Sequence, residues 1–118
     1  MSKIMVVDDA AFMRMKCAKL LTENGYEVVE AETGAQAVEK YQSSRPDGVL
    51  LDITMPDMDG LTALKELRRI DPGARVAMVT AMGQQSIVME ALKSGASDFV
   101  VKPFDAERVL NAVGKLLG

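Results

Sequence analysis

The 118-residue chain has no histidine, no tryptophan and only one cysteine, Cys17. Without histidine it can build neither a Ser-His triad nor a His-ligated zinc site. One cysteine can form neither a thiolate metal site nor an intramolecular disulfide. A metal bound by this chain must therefore be one that prefers oxygen ligands, such as Mg²⁺.

The chain also lacks a basic charge balance and long apolar runs. Its net charge is −3 and its pI is about 4.9, so we expect no nucleic-acid binding, which requires a basic face. The apolar runs are too short to cross a bilayer, so we expect no membrane insertion. With a lone cysteine and no recognisable secretory signal, we expect a cytoplasmic protein. With 48% hydrophobic and 26% charged residues, residues 1–118 are expected to form one domain.

Apolar segments alternate with helical patterns along the whole chain. We predict strands at 3–7, 27–31, 48–51, 76–79 and 98–101, and helices at 10–21, 33–42, 60–70, 85–93 and 106–117. This alternation predicts an α/β fold, a doubly wound five-stranded parallel sheet with helices on both faces. Of the common strand orders, 2-1-3-4-5 suits five strands. The second strand, the most polar, is expected at an edge.

The first helix offers many apolar residues for a core-facing side. We interpret them, methionines included, as core rather than as a partner surface: Phe12, Met13, Met15, Cys17, Leu20 and Leu21.

Polar residues follow four of the strands, where parallel strands meet at one edge of a sheet. Asp8 and Asp9 follow the first strand and Asp52 the third. Three carboxylates in one crevice repel one another unless a cation intervenes. We expect Mg²⁺ there, bound directly by Asp9 and Asp52 and through water by Asp8, with the backbone carbonyl of Thr54 as a further ligand.

The same edge has the groups needed for phosphoryl transfer to a carboxylate. Asp52, which follows a central strand, is the candidate nucleophile, forming an acyl phosphate. Lys102 offers a positive charge to a phosphate oxygen, Thr80 a hydroxyl donor, and Ala81 leaves room for the phosphoryl group. Taken singly, Asp8 or Asp9 reads best as a helix N-cap and Lys102 as a solvated charge. Their combination at one edge favours a functional site.

These motifs, in this order, resemble the receiver domain of two-component response regulators. The resemblance covers the whole chain and rests on Asp8-Asp9, Asp52, Met55-Pro56 with Asp59-Gly60, Thr80-Ala81 and Lys102-Pro103. It implies a flavodoxin-like fold and a switch rather than an enzyme, with autocatalytic phosphorylation and self-dephosphorylation only. It also implies roles for individual residues: Asp52 as phosphoacceptor, Asp8 and Asp9 as the Mg²⁺ pair, Thr80 and Phe99 as the switch pair, and Lys102 before Pro103 as the phosphate sensor.

Four segments resemble the single-domain chemotaxis regulators of this family: DDAAFMRM (8–15), DITMP (52–56), AMGQQ (81–85) and KPF (102–104). The resemblance implies a sensor histidine kinase of the CheA type as donor. It also implies a flagellar motor switch component as output partner, and an auxiliary phosphatase. The output face would be formed by the fourth helix, fifth strand and fifth helix, with Val88, Ala96, Phe99 and Val101 as its candidates.

Thr54 and Met82 lie two residues after Asp52 and Thr80. The resemblance assigns these positions to the tuning of phosphoryl lifetime. Neither side chain is a carboxylate or an amide able to orient water, so we expect slow to moderate self-dephosphorylation.

Three alternatives remain at this point. The chain could be the receiver of another regulator, with an output outside chemotaxis. A flavodoxin-like cofactor binder would need a phosphate-binding loop after the first strand, but that loop begins with Asp8-Asp9, and no GxGxxG occurs. A phosphohydrolase of the haloacid-dehalogenase type would need a second aspartate two residues after the nucleophile, where this chain has Thr54.

Overall fold

The computed structural model describes residues 1–53, 58–81, 85–102 and 104–118. Strands and helices alternate throughout. The strands are β1 (Lys3–Val7), β2 (Glu27–Ala31), β3 (Gly48–Asp52), β4 (Val76–Ala81) and β5 (Asp98–Lys102). The helices are α1 (Ala11–Glu23), α2 (Gly34–Ser44), α3 (Gly60–Ile70), α4 (Gln85–Lys93) and α5 (Ala106–Leu117). Within these described ranges, no helix has the length and apolar character needed to traverse a bilayer.

The five strands form one parallel sheet in the order β2-β1-β3-β4-β5, which confirms the predicted fold class and order. β2 lies at the edge, as its polarity predicted. β3 lies at the centre, and all five of its residues are buried. Strands buried on both faces show no apolar-polar alternation, which explains the continuous apolar run before Asp52.

Two apolar cores cover the two faces of the sheet. In β1, Met5 and Val7 face the core formed with α2, α3 and α4, whereas Ile4 and Val6 face the core formed with α1 and α5. This alternation follows from the two-residue period of a strand. Helices on both faces leave the edge at the carboxyl ends of the strands open to form a site.

Three strands extend further than predicted. β3, β4 and β5 end at Asp52, Ala81 and Lys102, one or two residues beyond the apolar runs. Backbone pairing continues there, since Asp52 pairs with Val79 and Ala81 with Lys102. The polar residues therefore belong to the strands themselves, and the sheet fixes their backbones.

The prediction for the buried face of α1 was wrong in part. The buried residues of α1 are Arg14, Cys17 and Leu21, whereas the side chains of Phe12 and Met15 are 76% and 61% exposed. Arg14, Cys17 and Leu21 share one side of the helix because they are spaced three and four residues apart. α1 has apolar residues around its circumference, so the sequence pattern did not determine which side meets the sheet.

Candidate functional site

Three carboxylates meet where β1 and β3, neighbours in the sheet, end. Asp8 directly follows β1, and Asp52 is the last residue of β3. One carboxylate oxygen from each of Asp8, Asp9 and Asp52 lies within 4.8 Å of the others. Asp8 and Asp52 are buried, and Asp9 is exposed. The predicted candidate metal ligands among the described residues are therefore brought together, with Asp9 on the solvent side.

The ammonium group of Lys102 lies against two of these carboxylates. Its Nζ is 3.4 Å from Asp8 Oδ2 and 3.5 Å from Asp52 Oδ1. Lys102 is the last residue of β5, two strands away from β3. Its long side chain reaches across the end of β4 to the acidic residues. The carboxylates thus come from the ends of β1 and β3, and the ammonium group comes from β5 at the edge of the sheet.

Three carboxylates and one ammonium give the site a formal charge of −2. Unit charges about 4 Å apart interact by about 4 kcal/mol at an effective dielectric near 20. Lys102 offsets only part of this repulsion. The donors are all oxygen atoms, the set that Mg²⁺ prefers, and the surplus negative charge matches a divalent cation. The residues present therefore fit Mg²⁺.

β4, the neighbour of β3 in the sheet, carries Thr80 one residue after Val79, the register partner of Asp52. Thr80 is buried, and its Oγ1 donates to the carbonyl of Ala81 at 3.1 Å. Ala81, which ends β4, is exposed. The side chain of Ala81 is a single methyl group, and its role of leaving room for a phosphoryl group stays a prediction.

Phe99 lies in β5 and is partly buried against the core shared by α2, α3 and α4. Its carbonyl accepts a hydrogen bond from Nη2 of Arg108 in α5 at 2.6 Å. Phe99 thus connects the strand that carries Lys102 with the last helix.

Gly60, the first residue of α3, packs against the backbone of Asp52 at the end of β3. A Cβ atom at Gly60 would lie 2.2 Å from the carbonyl oxygen of Asp52 and 2.6 Å from Cα of Ile53. The backbone of α3 therefore approaches the end of β3 more closely than any side chain permits. Gly60 was noted in the sequence as part of a motif, and the structure gives the physical reason for it.

Asp8 is held by more groups than the sequence analysis predicted. Its Oδ1 accepts from the amide of Ala10 at 2.9 Å, and its carbonyl accepts from Nη1 of Arg14 at 2.9 Å. Arg14 was missed from the sequence. Its spacing of three from Cys17 and seven from Leu21 puts the three residues on one side of α1, but the sequence did not determine that this side is the buried one.

Cys17 lies in the same interior as Asp8, on the face covered by α1 and α5. Burial, and then the negative charge of Asp8, raise the pKa of the Cys17 thiol. A thiol that stays protonated is a poor nucleophile, so Cys17 is a core residue and not a reactive group of this site.

The four output-face candidates differ in exposure. Val88 and Ala96 are buried in the core, and Phe99 is partly buried. Val101 is 37% exposed, and the neighbouring helix α4 exposes Met89 and Leu92. A partner could touch only the exposed residues directly, because buried ones act through packing.

The candidates Thr54 and Pro103, together with Met82, lie outside the described residues. The carbonyl ligand, the residue after the phosphate sensor and the lifetime-tuning positions therefore stay predictions.

Comparison with known proteins identifies relatives along nearly the whole chain. The family model for the response regulator receiver domain matches residues 4–114. The chemotaxis protein CheY of Bacillus subtilis is 61% identical over 116 residues, which cover 98% of this chain and 97% of that protein. The CheY protein of Thermotoga maritima is 52% identical over 115 residues, covering 97% and 96%. The structure of the chemotaxis protein CheY4 of Vibrio cholerae superimposes with a TM-score of 0.94 at 31% identity, covering 99% of both chains.

Proposed function

The chain belongs to the response regulator receiver domain family, and on this basis we propose that it is a phosphoaspartate switch with Asp52 as phosphoacceptor. It is a signalling protein similar to the CheY chemotaxis regulators. The observation that carries the proposal is the meeting of Asp8, Asp9 and Asp52 within 4.8 Å, with Lys102 against two of them. The proposed unit is the single receiver domain formed by residues 1–118.

The proposed reaction transfers a phosphoryl group from a phosphohistidine to Asp52. A carboxylate oxygen of Asp52 attacks phosphorus, the P–N bond breaks, and the departing imidazole nitrogen takes a proton from solvent. The product is an acyl phosphate. Asp9, Asp52 and the Thr54 carbonyl would bind Mg²⁺ directly and Asp8 through water, and the bound ion would supply positive charge that neutralises the phosphoryl oxygens.

Residues around Asp52 then bind the phosphoryl group. Nζ of Lys102 lies 3.5 Å from Asp52 Oδ1, and this short distance supports the proposal that it binds an oxygen of a phosphoryl group attached to Asp52. Thr80 supplies its hydroxyl to another oxygen, and Ala81 leaves the approach open. Pro103 follows the sensing lysine in the chain.

We propose that movement of Thr80 toward the phosphoryl group lets Phe99 repack and so alters α4, β5 and α5. Complete conversion of a 1:99 equilibrium to 99:1 needs about 5.5 kcal/mol of differential stabilisation. One charge pair and one hydrogen bond supply part of this, so partial activation is expected as well. Val88 and Ala96 would transmit the change through packing, while Val101, with Met89 and Leu92, would meet the partner.

The donor is proposed to be a CheA-like sensor histidine kinase, the output partner a flagellar motor switch component, and the site of action the cytoplasm. An auxiliary phosphatase would end the signal. The name CheY of the Bacillus subtilis and Thermotoga maritima relatives supports this assignment over a receiver with a different output. Binding of the phosphorylated protein to purified switch components tests it, and an equal affinity with and without phosphorylation would reject it.

Intact mass after incubation with acetyl phosphate tests the phosphoacceptor. The wild-type protein should gain one phosphoryl group with Mg²⁺ and none with EDTA, and Asp52→Asn should gain none in either condition. A gain by Asp52→Asn, or one that does not need Mg²⁺, would contradict the proposal. Steady release of phosphate from a phosphomonoester would instead favour a phosphohydrolase.

The output face can be tested with Val101→Glu, a charge placed on an exposed apolar position. Phosphorylation measured by mass should be unchanged, and partner binding should weaken. Phe12→Glu is a matched control, because Phe12 is also exposed but lies on α1. If partner binding by Val101→Glu matched that of wild type, this face would be wrong.

A further inference from the structure

Arg14 is a buried cation one helical turn into α1, beside the acidic site. Its side chain is 10% exposed, and its guanidinium group makes three contacts. Nη1 donates to the carbonyl of Asp8 at 2.9 Å, Nε donates to Oε1 of Glu30 at 3.1 Å, and Nη2 donates to Oε1 of Glu32 at 3.4 Å. Neither the phosphoryl chemistry nor the core packing described above accounts for these contacts.

The carbonyl that Arg14 binds belongs to the peptide unit between Asp8 and Asp9. A peptide unit is planar, so fixing its oxygen fixes the direction in which the chain continues to Cα of Asp9. Within the described part of the chain, no hydrogen bond or ion pair holds the Asp9 carboxylate itself, which is exposed. The placement of Asp9 therefore depends on its backbone, and Arg14 holds the peptide unit that leads into it.

The same helix holds Asp8 at a second point. The amide of Ala10, the N-cap residue of α1, donates to Oδ1 of Asp8, and no side chain caps this helix end. Asp8 in turn pairs with β2 through its amide, which donates to the carbonyl of Ala31 at 3.1 Å. The backbone of Asp8 is thus fixed on one side by β2 and on the other by Arg14.

The positive charge of Arg14, taken alone, would weaken Mg²⁺ binding at the acidic site. A cation beside a metal site disfavours a second cation, and Glu30 and Glu32 offset most of the charge of Arg14. Removing Arg14 would then leave Mg²⁺ binding unchanged or make it tighter. Removing a positioning group would make Mg²⁺ binding weaker, so the sign of the effect separates the two roles.

We propose that Arg14 is a positioning residue for the acid pair, holding the Asp8–Asp9 peptide unit so that the Asp9 carboxylate faces Asp52 and Asp8. This inference rests on the proposed function, because it concerns the affinity of the same site for Mg²⁺. Groups that orient metal ligands change affinity by about 10- to 100-fold when removed. Since Arg14 acts through the backbone, we expect the lower end, about tenfold.

The test is a Mg²⁺ titration of the full chain followed by amide NMR, with Arg14→Met beside wild type. Methionine keeps the apolar length and removes every donor. Arg68→Met is the matched control: Arg68 is a partly buried arginine on α3 whose Nη1 also donates to a backbone carbonyl, that of Ala74, at 2.9 Å. Arg14→Gln, which keeps a polar group beside the glutamates, carries the same test should the methionine variant not fold.

We expect the Kd for Mg²⁺ to rise about tenfold in Arg14→Met and to change less than twofold in Arg68→Met. In the metal-free protein, the amide resonance of Asp9 should move in the Arg14 variant and stay in place in the control. A Kd within twofold of wild type, a tighter Kd, or a loss shared by Arg68→Met would overturn the inference alone. Absence of Mg²⁺ binding by the wild-type protein would overturn the proposed function and this inference with it.

Discussion

The two ends of the sheet each carry a cluster of polar side chains, and the clusters differ in how their charge is balanced. At the end where the helices return to the strands, Tyr41 Oη donates to Asp71 Oδ2 at 2.7 Å. Arg45 lies 3.7 Å from the same oxygen and 5.5 Å from the centre of the Tyr41 ring. We call Tyr41, Arg45 and Asp71 the amino-end cluster.

At the other end, Asp8, Asp9, Asp52 and Lys102 form the carboxyl-end site. The amino-end cluster has one negative and one positive charge, so its charges are balanced within the chain. The carboxyl-end site has three carboxylates and one ammonium, so a charge of −2 is left for a ligand. Clusters of the first kind stabilise a fold, whereas clusters of the second kind cost stability until a ligand binds.

The largest effect is expected where backbone meets backbone behind Asp52. Gly60→Ala places a Cβ against the Asp52 carbonyl, so the end of β3 or the start of α3 must move. We expect a loss of about 3 kcal/mol in the free energy of unfolding, together with slower phosphorylation by acetyl phosphate. Gly114→Ala is the control: nothing lies within 4 Å of its Cβ, and alanine should add about 1 kcal/mol to helix α5. Urea unfolding measures both, and an unharmed Gly60→Ala would contradict the close approach.

A smaller loss is expected from the amino-end cluster. Tyr41→Phe removes the hydroxyl that donates to Asp71 and should lower the free energy of unfolding by about 1 kcal/mol, measured in urea. Phosphorylation, followed by intact mass, should be unchanged because the cluster lies at the opposite end of the sheet. A variant that loses phosphorylation but keeps its stability would reverse the roles assigned to the two ends.

A still smaller effect is expected at alkaline pH, where the free energy of unfolding should decrease between pH 9 and pH 10.5. Burial, and then the hydrogen bond to Asp71, raise the pKa of Tyr41 from the usual tyrosine value of about 10 to about 12. The folded state therefore binds the phenolic proton more tightly than the unfolded state. The resulting stability is complete below pH 10 and decreases as the pH rises toward 12. Urea unfolding at pH 9 and 10.5 should show this decrease in wild type and a weaker one in Tyr41→Phe, and equal decreases would contradict it.

The sequence predicted the sheet well because parallel strands buried on both faces leave a strong local pattern. β1, β2, α3, α4 and α5 have the predicted bounds. The ends of β3, β4 and β5 were predicted too early, since polarity at Asp52 or Lys102 marks the end of an apolar run but not the end of backbone pairing. The local sequence pattern thus identified the strands and helices correctly, but it predicted the last residues of three strands less well.

The charged residues that meet at the site were named from the sequence, but the residue that holds the Asp8 backbone, Arg14, was not. Asp8, Asp52 and Lys102 could be named because strand order brings the ends of distant strands to one edge. Arg14 was not found, because only apolar residues were considered for the buried side of α1. Its burial depends on how α1 crosses the sheet, which is a tertiary property that no local window contains.

We propose that the carboxylates of the carboxyl-end site repel one another and attract Mg²⁺. The most direct measurement is the free energy of unfolding of wild type and Asp9→Asn in urea, once with EDTA and once with saturating Mg²⁺. In EDTA the variant should be more stable, by about 1 kcal/mol, the interaction of two charges some 4 Å apart in water. In Mg²⁺ at 100 times the wild-type Kd, wild type should gain about 2.7 kcal/mol and become the more stable protein. A variant no more stable than wild type in EDTA would contradict the repulsion between the carboxylates, and a wild type that gains nothing from Mg²⁺ would contradict Mg²⁺ binding.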